Sequence, residues 1–197
     1  MNHRVKNNIQ VIISLVNMLS NHPVIDDKAA EKLRDIAEKV RYISRIHEDF
    51  YTSPNLSRIA FSAYLKKSVG DIYSNYGRYK DIVFKLNLSD DMLDINQAIP
   101  LGIIFNELMI NAMSYAFKDE KRTVEKNTIR VEFYNRDGQY SLLVSDNGDG
   151  LPDIFHEVRS MKIGLQLVDL LVKEHLKGSI AHYNHHGTTF IVKFSQN

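Results

Sequence analysis

Cysteine is absent from this 197-residue chain, so disulfides and thiolate metal sites are excluded. Excess charge of either sign is nearly absent too, with 25 basic and 24 acidic residues leaving a formal charge of +1. A polyanionic partner calls for a clearly basic face, so nucleic acid is not an expected ligand. No apolar run approaches the roughly 18 residues needed to cross a bilayer. The opening residues are polar, unlike those of a secretory signal. There is no internal repeat and no low-complexity tract. What remains, 44% hydrophobic and 25% charged residues, is the balance of an ordinary globular protein, long enough for one large domain or two small ones.

The chain opens at once on a helical pattern. Val5, Ile9, Ile12, Val16 and Leu19 alternate at spacings of four and three, the seam of packed helices. His3, Asn7, Gln10, Ser14 and Asn17 repeat with the same period on the opposite face, which points His3 toward solvent. Asn21-His22-Pro23 ends the pattern, since proline disfavours helical geometry before it and lacks an amide donor. Asp26-Asp27 then caps a second helix, with Leu33, Ile36, Val40, Ile43 and Phe50 on one stripe and His47 in the remaining seam position. Two amphipathic helices joined by a short loop form an antiparallel hairpin. Alone it cannot bury both seams. A second copy completing a four-helix bundle is therefore expected.

Thr52-Ser53-Pro54-Asn55 marks the expected boundary between a helical hairpin over 1–53 and a second domain over 55–197. In the second domain the periodicity predicts helices over 61–76, 99–117 and 163–175, the last ended by Gly178. Strands are predicted over 82–88, 128–134, 140–145, 180–183 and 189–194. Asp137-Gly138 is a hairpin turn signal, and His185-His186-Gly187 turns the last pair. Helices on one face of a largely antiparallel sheet make an α+β fold.

Several short blocks carry polar chemistry. Asn106, Glu107 and Asn111 stand at i, i+1 and i+5 on an otherwise apolar helix. Mg²⁺ accepts a few hard oxygen ligands beside phosphates and water, and an asparagine carbonyl is one. Alone, the block is equally a solvated helix face. Asp146-Asn147-Gly148-Asp149-Gly150 ends a strand in a glycine-bearing turn, and by itself is no more than a turn. Gly164-Leu165 opens a helix, whose free amides and dipole can hold phosphate oxygens. His182, His185 and His186 cluster near a hairpin, but no carboxylate joins them at ligand spacing and a solvated turn is the reading adopted. His3 by itself is an ordinary surface residue of a helix, although a neutral imidazole can attack phosphorus through a ring nitrogen.

In this order and spacing, followed by Gly187-Thr188-Thr189-Phe190, the blocks resemble the nucleotide-binding blocks of the ATPase superfamily shared by gyrase, heat-shock chaperones, histidine kinases and MutL. His3-Arg4-Val5-Lys6-Asn7-Asn8 resembles the phosphoacceptor box of one branch of sensor histidine kinases. The resemblance covers nearly the whole chain. It implies a Bergerat-type α/β sandwich that binds ATP and Mg²⁺, with a two-helix dimerisation and phosphoacceptor hairpin before it. Asn106 and Asn111 would belong to the nucleotide site, Asn111 touching the metal. Glu107 would order water around the metal or act as a base. Asp146 would accept the exocyclic amine of adenine, with Thr188 beside it, while Gly148 and Gly150 would allow positive φ and close approach of the base. Lys162, Gly164 and Leu165 would meet the phosphates at the end of a short lid, with Arg159 a further cation.

His3 would take the γ-phosphoryl group and pass it to an aspartate of a response regulator. A helix that begins at once without a cap leads to the expectation of a sensory region upstream of Met1, the unburied seams to a homodimer through residues 1–53, and a cytoplasmic location is expected. Three positions depart from the pattern. Lys162 stands where another glycine is usual, Ser114 where a basic residue often follows Asn111, and Arg4 where many histidine kinases carry an acidic base. Two rivals stay open. One is an ATPase clamp using Glu107 as base without any phosphohistidine, and the other is a degenerate kinase that only scaffolds a dimer.

Overall fold

The computed structural model describes residues 2–51, 58–76, 81–117, 126–151 and 162–196, and of residues 2–6 and 76 only the backbone. The expected boundary at 52–55, Arg159 and the expected side-chain direction of His3 lie outside that description. The chain divides into two compact units, Met1–Leu56 and Ser57–Asn197.

The first unit is a hairpin of α1 (Asn2–Ser20) and α2 (Asp27–Tyr51). Asp26 caps α2, its Oδ1 accepting the Ala29 N–H at 2.9 Å. The inward face differs from the expected seam. Ile13, Ser20, Ala30, Ala37 and Ser44 are buried, whereas Ile12 and Leu19 are each 48% exposed. Ala30, Ala37 and Ser44 recur at seven-residue spacing, and their small side chains let two helices approach closely. Of the expected seam, Phe50 is buried and most of the others are partly covered, while Ile12 and Leu19 are left outside. Val11, Ile12, Leu15, Met18 and Leu19 form an exposed apolar surface on α1, much more than scattered single residues. His47 is half-buried, stacked on Tyr51 at 4.2 Å. Burial lowers its pKa below the ordinary imidazole value, with Glu48 opposing the shift.

The second unit opens with β1 (Ile59–Ala60), which pairs with β3 (Met92–Leu93). Between and after them come α3 (Phe61–Tyr76), β2 (Ile82–Leu88) and α4 (Ile95–Tyr115). There follow β4 (Asn127–Arg136), β5 (Gln139–Asp146), α5 (Ile163–Leu170, continuing as a π-helical turn Leu171–His175), β6 (Ser179–Asn184) and β7 (Thr188–Ser195). Five strands form a sheet of order β2-β4-β5-β7-β6, parallel only between β2 and β4. Asp137 and Gly138 both take positive φ, 52° and 83°, as the tight β4–β5 turn requires.

Period two sorts the sheet. Ile129, Val131, Phe133, Leu142, Val144, Phe190 and Val192 are buried and in register with one another. Asp146 is in phase with Leu142 and Val144, so β5 delivers its carboxylate to the core side of the sheet and not to water. α4 is the central helix, buried on nearly every side from Gln97 to Met109, as expected of a helix without a solvent stripe. It begins at Ile95, four residues before the expected start. Asp94 caps it, Oδ1 accepting the Asn96 N–H at 2.7 Å, and Pro100 lies inside the helix.

Candidate nucleotide site

α4, the end of β5 and the segment after it, the start of α5 and the start of β7 line a cavity of about 470 Å³, within the range of about 300–1,000 Å³ usual for small-molecule sites. Leu108, Ala112, Val144, Leu165 and Phe190 give it an apolar wall. Asn111, Asp146, Asp149, Lys162 and Thr188 are its polar side chains.

Asp146 is buried and held firmly. Its Oδ1 accepts two backbone N–H groups, from Gly148 at 2.8 Å and from Thr188 at 3.1 Å. The second bond ties the end of β5 to the start of β7. Gly187 makes that approach possible, because its φ is +112° and a Cβ there would strike the Asp146 carbonyl and Asn147. Asn147 turns away and joins β4, its Oδ1 accepting from Thr128 N and its Nδ2 donating to Lys126 O.

The two glycines of the block have different reasons. Gly150 has the expected positive φ, +79°. Gly148 does not. A Cβ at Gly148 would collide with the carbonyl and side chain of Ala116, and the Asp149 N–H donates to that carbonyl at 2.7 Å. Gly148 thus lacks the expected positive φ, and its close neighbour is the C-terminal end of α4.

Asn106 is engaged away from the cavity lining. Its Oδ1 accepts from Ser68 Oγ at 2.6 Å and its Nδ2 donates to Tyr64 Oη at 2.5 Å. Both partners lie one turn apart on α3, so Asn106 clips α3 to α4 and is not part of the cavity lining. Glu107 is buried and likewise outside the lining, one helical turn before Asn111.

Asn111 differs from both. It lines the cavity, and its Nδ2 is buried with no hydrogen-bond partner among the described residues. An unmade buried bond of this kind costs about 1–3 kcal/mol. Which end of the amide is nitrogen is a matter of assignment, so the group offers the cavity either an N–H donor or a carbonyl oxygen. Such an orphaned amide fits a Mg²⁺ ion that is completed by phosphates and water. Among the described residues, no three His, Asp or Glu side chains cluster as a metal cage by themselves.

At the α5 end, Lys162 precedes the helix in extended geometry, and Leu165 faces the cavity while Gly164 is buried behind it. The Lys162 ammonium sits 3.3 Å above the centre of the Tyr115 ring, a cation–π pair. It is the cation of the described lining, set against Asp146 and Asp149.

Sequence reasoning brought Asn111, Asp146, Gly150, Lys162, Leu165 and Thr188 together, and missed the wall. The signals for the wall were present. Leu108, Ala112 and Tyr115 share the Asn111 stripe at helical spacing, and Val144 and Phe190 are cross-strand partners in phase with Asp146 and Thr188. His3 lies in α1, in the first unit.

Comparison with known proteins points the same way. Residues 1–76 match the sequence profile described as "Histidine kinase", and residues 96–197 the profile "Histidine kinase-, DNA gyrase B-, and HSP90-like ATPase". The chain is 29% identical over 188 residues to the sensor histidine kinase PdtaS of Mycolicibacterium smegmatis, covering 92% of this chain and 36% of that protein. It is 23% identical over 177 residues to blue-light-activated histidine kinase 2 of Erythrobacter litoralis, covering 87% of this chain and 49% of that one. The chain thus spans a third to a half of these relatives. Among solved structures, the histidine kinase domain of Erythrobacter litoralis EL346 shares the fold, with a TM-score of 0.69 at 20% identity over 98% of this chain and 88% of that one.

Proposed function

We infer a phosphoryl-transfer function for this chain, which belongs to the histidine kinase-, DNA gyrase B-, and HSP90-like ATPase family and carries a histidine kinase segment ahead of its ATPase domain. The observation that carries the inference is the convergence of Asp146, Thr188 and the orphaned Asn111 amide on one cavity of the ATPase domain. ATP binds there, its adenine amine donating to Asp146 and its phosphates reaching toward Lys162 and the first amides of α5. Asn111, with Glu107 acting through water, would hold Mg²⁺, which neutralises phosphate charge. A ring nitrogen of His3 attacks the γ-phosphorus; the N–P bond forms as the bridging P–O bond breaks, and ADP leaves. Positioning and charge neutralisation supply most of the catalysis. The phosphohistidine then serves as donor to an aspartate of a response regulator, and the protein works in the cytoplasm. Among the described residues, no helix is long and apolar enough to cross a membrane.

The deciding experiment is incubation with γ-labelled ATP and Mg²⁺. Protein-bound label that is lost in acid and kept in base supports the kinase. Free phosphate with no such label would favour the ATPase clamp, and neither product would leave a scaffold.

Asp146→Asn is expected to weaken ATP specifically. The remaining oxygen still accepts from Gly148 and Thr188, but the second becomes an NH₂ set against the donor amine of adenine. The loss is about 1.5–3 kcal/mol, the range for hydrogen bonds to charged groups, or roughly a tenfold to hundredfold rise in Kd. Calorimetry with ATP checks this, and an unchanged Kd would place adenine elsewhere.

The first unit is proposed to dimerise through residues 1–53, and the exposed apolar face of α1 supports this. Placing a charge there, as in Leu15→Asp combined with Met18→Asp, should convert a dimer to a monomer in light scattering while ATP binding persists. A dimer that survives both changes would move the interface off α1.

A further inference from the structure

β6 ends beside the cavity. The register pairs Asn184 with Thr188, so the two residues stand next to each other on the same side of the sheet. Asn184 forms no part of the cavity lining, yet it holds a part of it. Its Oδ1 accepts the Leu151 N–H at 3.0 Å, and its Nδ2 donates to the Leu151 carbonyl at 3.0 Å. One side-chain amide thus engages both backbone groups of Leu151, as a neighbouring strand residue would. Gly150 has the geometry this requires. At φ +79° the chain turns close under Asn184, and a Cβ on Gly150 would strike Asn184 Oδ1.

Gly150 and Leu151 both line the cavity. Asp146, the last residue of β5, holds the Gly148 N–H, and the segment from there to Leu151 has two moorings of its own, Asp149 N–H on the Ala116 carbonyl and Asn184 on Leu151. Without the second mooring the last two wall residues would be ordered only when a ligand arrives, and binding would bear that entropy.

We propose that Asn184 is a positioning residue of the nucleotide site, bracing Gly150 and Leu151 so that the cavity wall is ordered before ATP binds. It touches no reacting atom, and it acts through the backbone of Leu151. This deepens the ATP-binding reading and rests on it for the nature of the ligand. Both bonds are exposed to solvent, so they contribute little to global stability. That separates bracing from a general structural role.

The test uses the full chain and its variants Asn184→Ala and Asn184→Asp. Hydrogen exchange should show the Leu151 amide protected in the parent and Asn184→Asp proteins, because aspartate keeps the acceptor, and released in Asn184→Ala. By calorimetry, Kd for ATP should rise about fivefold to tenfold in Asn184→Ala and less in Asn184→Asp, with Tm within about 2 °C of the parent. A Leu151 amide equally exposed in parent and Asn184→Ala, or an unchanged Kd in Asn184→Ala, overturns the brace. A fall in affinity accompanied by a large fall in Tm overturns it too, since the residue would then be merely structural. Parent protein that binds no ATP would refute the ATP reading instead, and the exchange result would still decide whether the wall is braced by Asn184.

Discussion

His3→Gln and His3→Ala are expected to carry no acid-labile label after incubation with γ-labelled ATP, while still binding ATP with the parent's affinity. The two effects separate because His3 belongs to α1 and the cavity to the second compact unit. Fold stability should be nearly unchanged. His3 shares a helical stripe with Asn7, Gln10 and Ser14, all of which are exposed, and surface substitutions of this kind usually fall within about 0.5 kcal/mol. A structural histidine would lower Tm, and a nucleotide ligand would raise Kd. Label persisting in His3→Ala would reassign the acceptor, with His47 the first to test. His47 is poorly placed for that role. Burial lowers its pKa, which favours the neutral ring a nucleophile needs, but the ring is half-buried and packed on Tyr51 at 4.2 Å, which restricts the approach of a phosphoryl group to its nitrogens. Access decides against it, not protonation.

Much of the second unit was legible because its signals are local. Alternation along β5 places Asp146 on the core side, Asp137-Gly138 turns the hairpin, and α3 runs over the predicted residues 61–76. Most of the differences turn on partners distant in sequence. Asn106 and Asn111 look alike on one helix, and only Tyr64 and Ser68, 42 and 38 residues earlier, make Asn106 a clip. Gly148 reads as a turn glycine until Ala116 is brought against it. In the first unit the expected seam includes Phe50, which is buried, but the inward face also uses Ala30, Ala37 and Ser44, whose small side chains carry little hydrophobic signal. α4 begins at the Asp94 cap, four residues before the expected start. The Asn184 brace was invisible for a similar reason, because Leu151 is 33 residues away.

Asn111→Asp should abolish labelling altogether and leave the fold intact. The Asn111 amide nitrogen lies buried without a partner among the described residues, a defect that stability alone would not maintain. Its use is at the cavity, where the amide can present a carbonyl to Mg²⁺ or an N–H to a phosphate oxygen. Aspartate matches the shape and loses the donor. It also adds a third carboxylate to a lining that already holds Asp146 and Asp149, facing a polyphosphate. Like charges about 4 Å apart repel by about 4 kcal/mol at an effective dielectric near 20, which is about a thousandfold in binding. Asn111→Leu separates the two contributions. It removes the orphaned donor without adding charge, so its Tm should equal or exceed the parent's while labelling still disappears. Labelling at the parent's level in Asn111→Asp would take this residue out of the site. A Tm that falls in Asn111→Leu would mean that the amide serves the fold, and the orphaned nitrogen would then have a partner in solution.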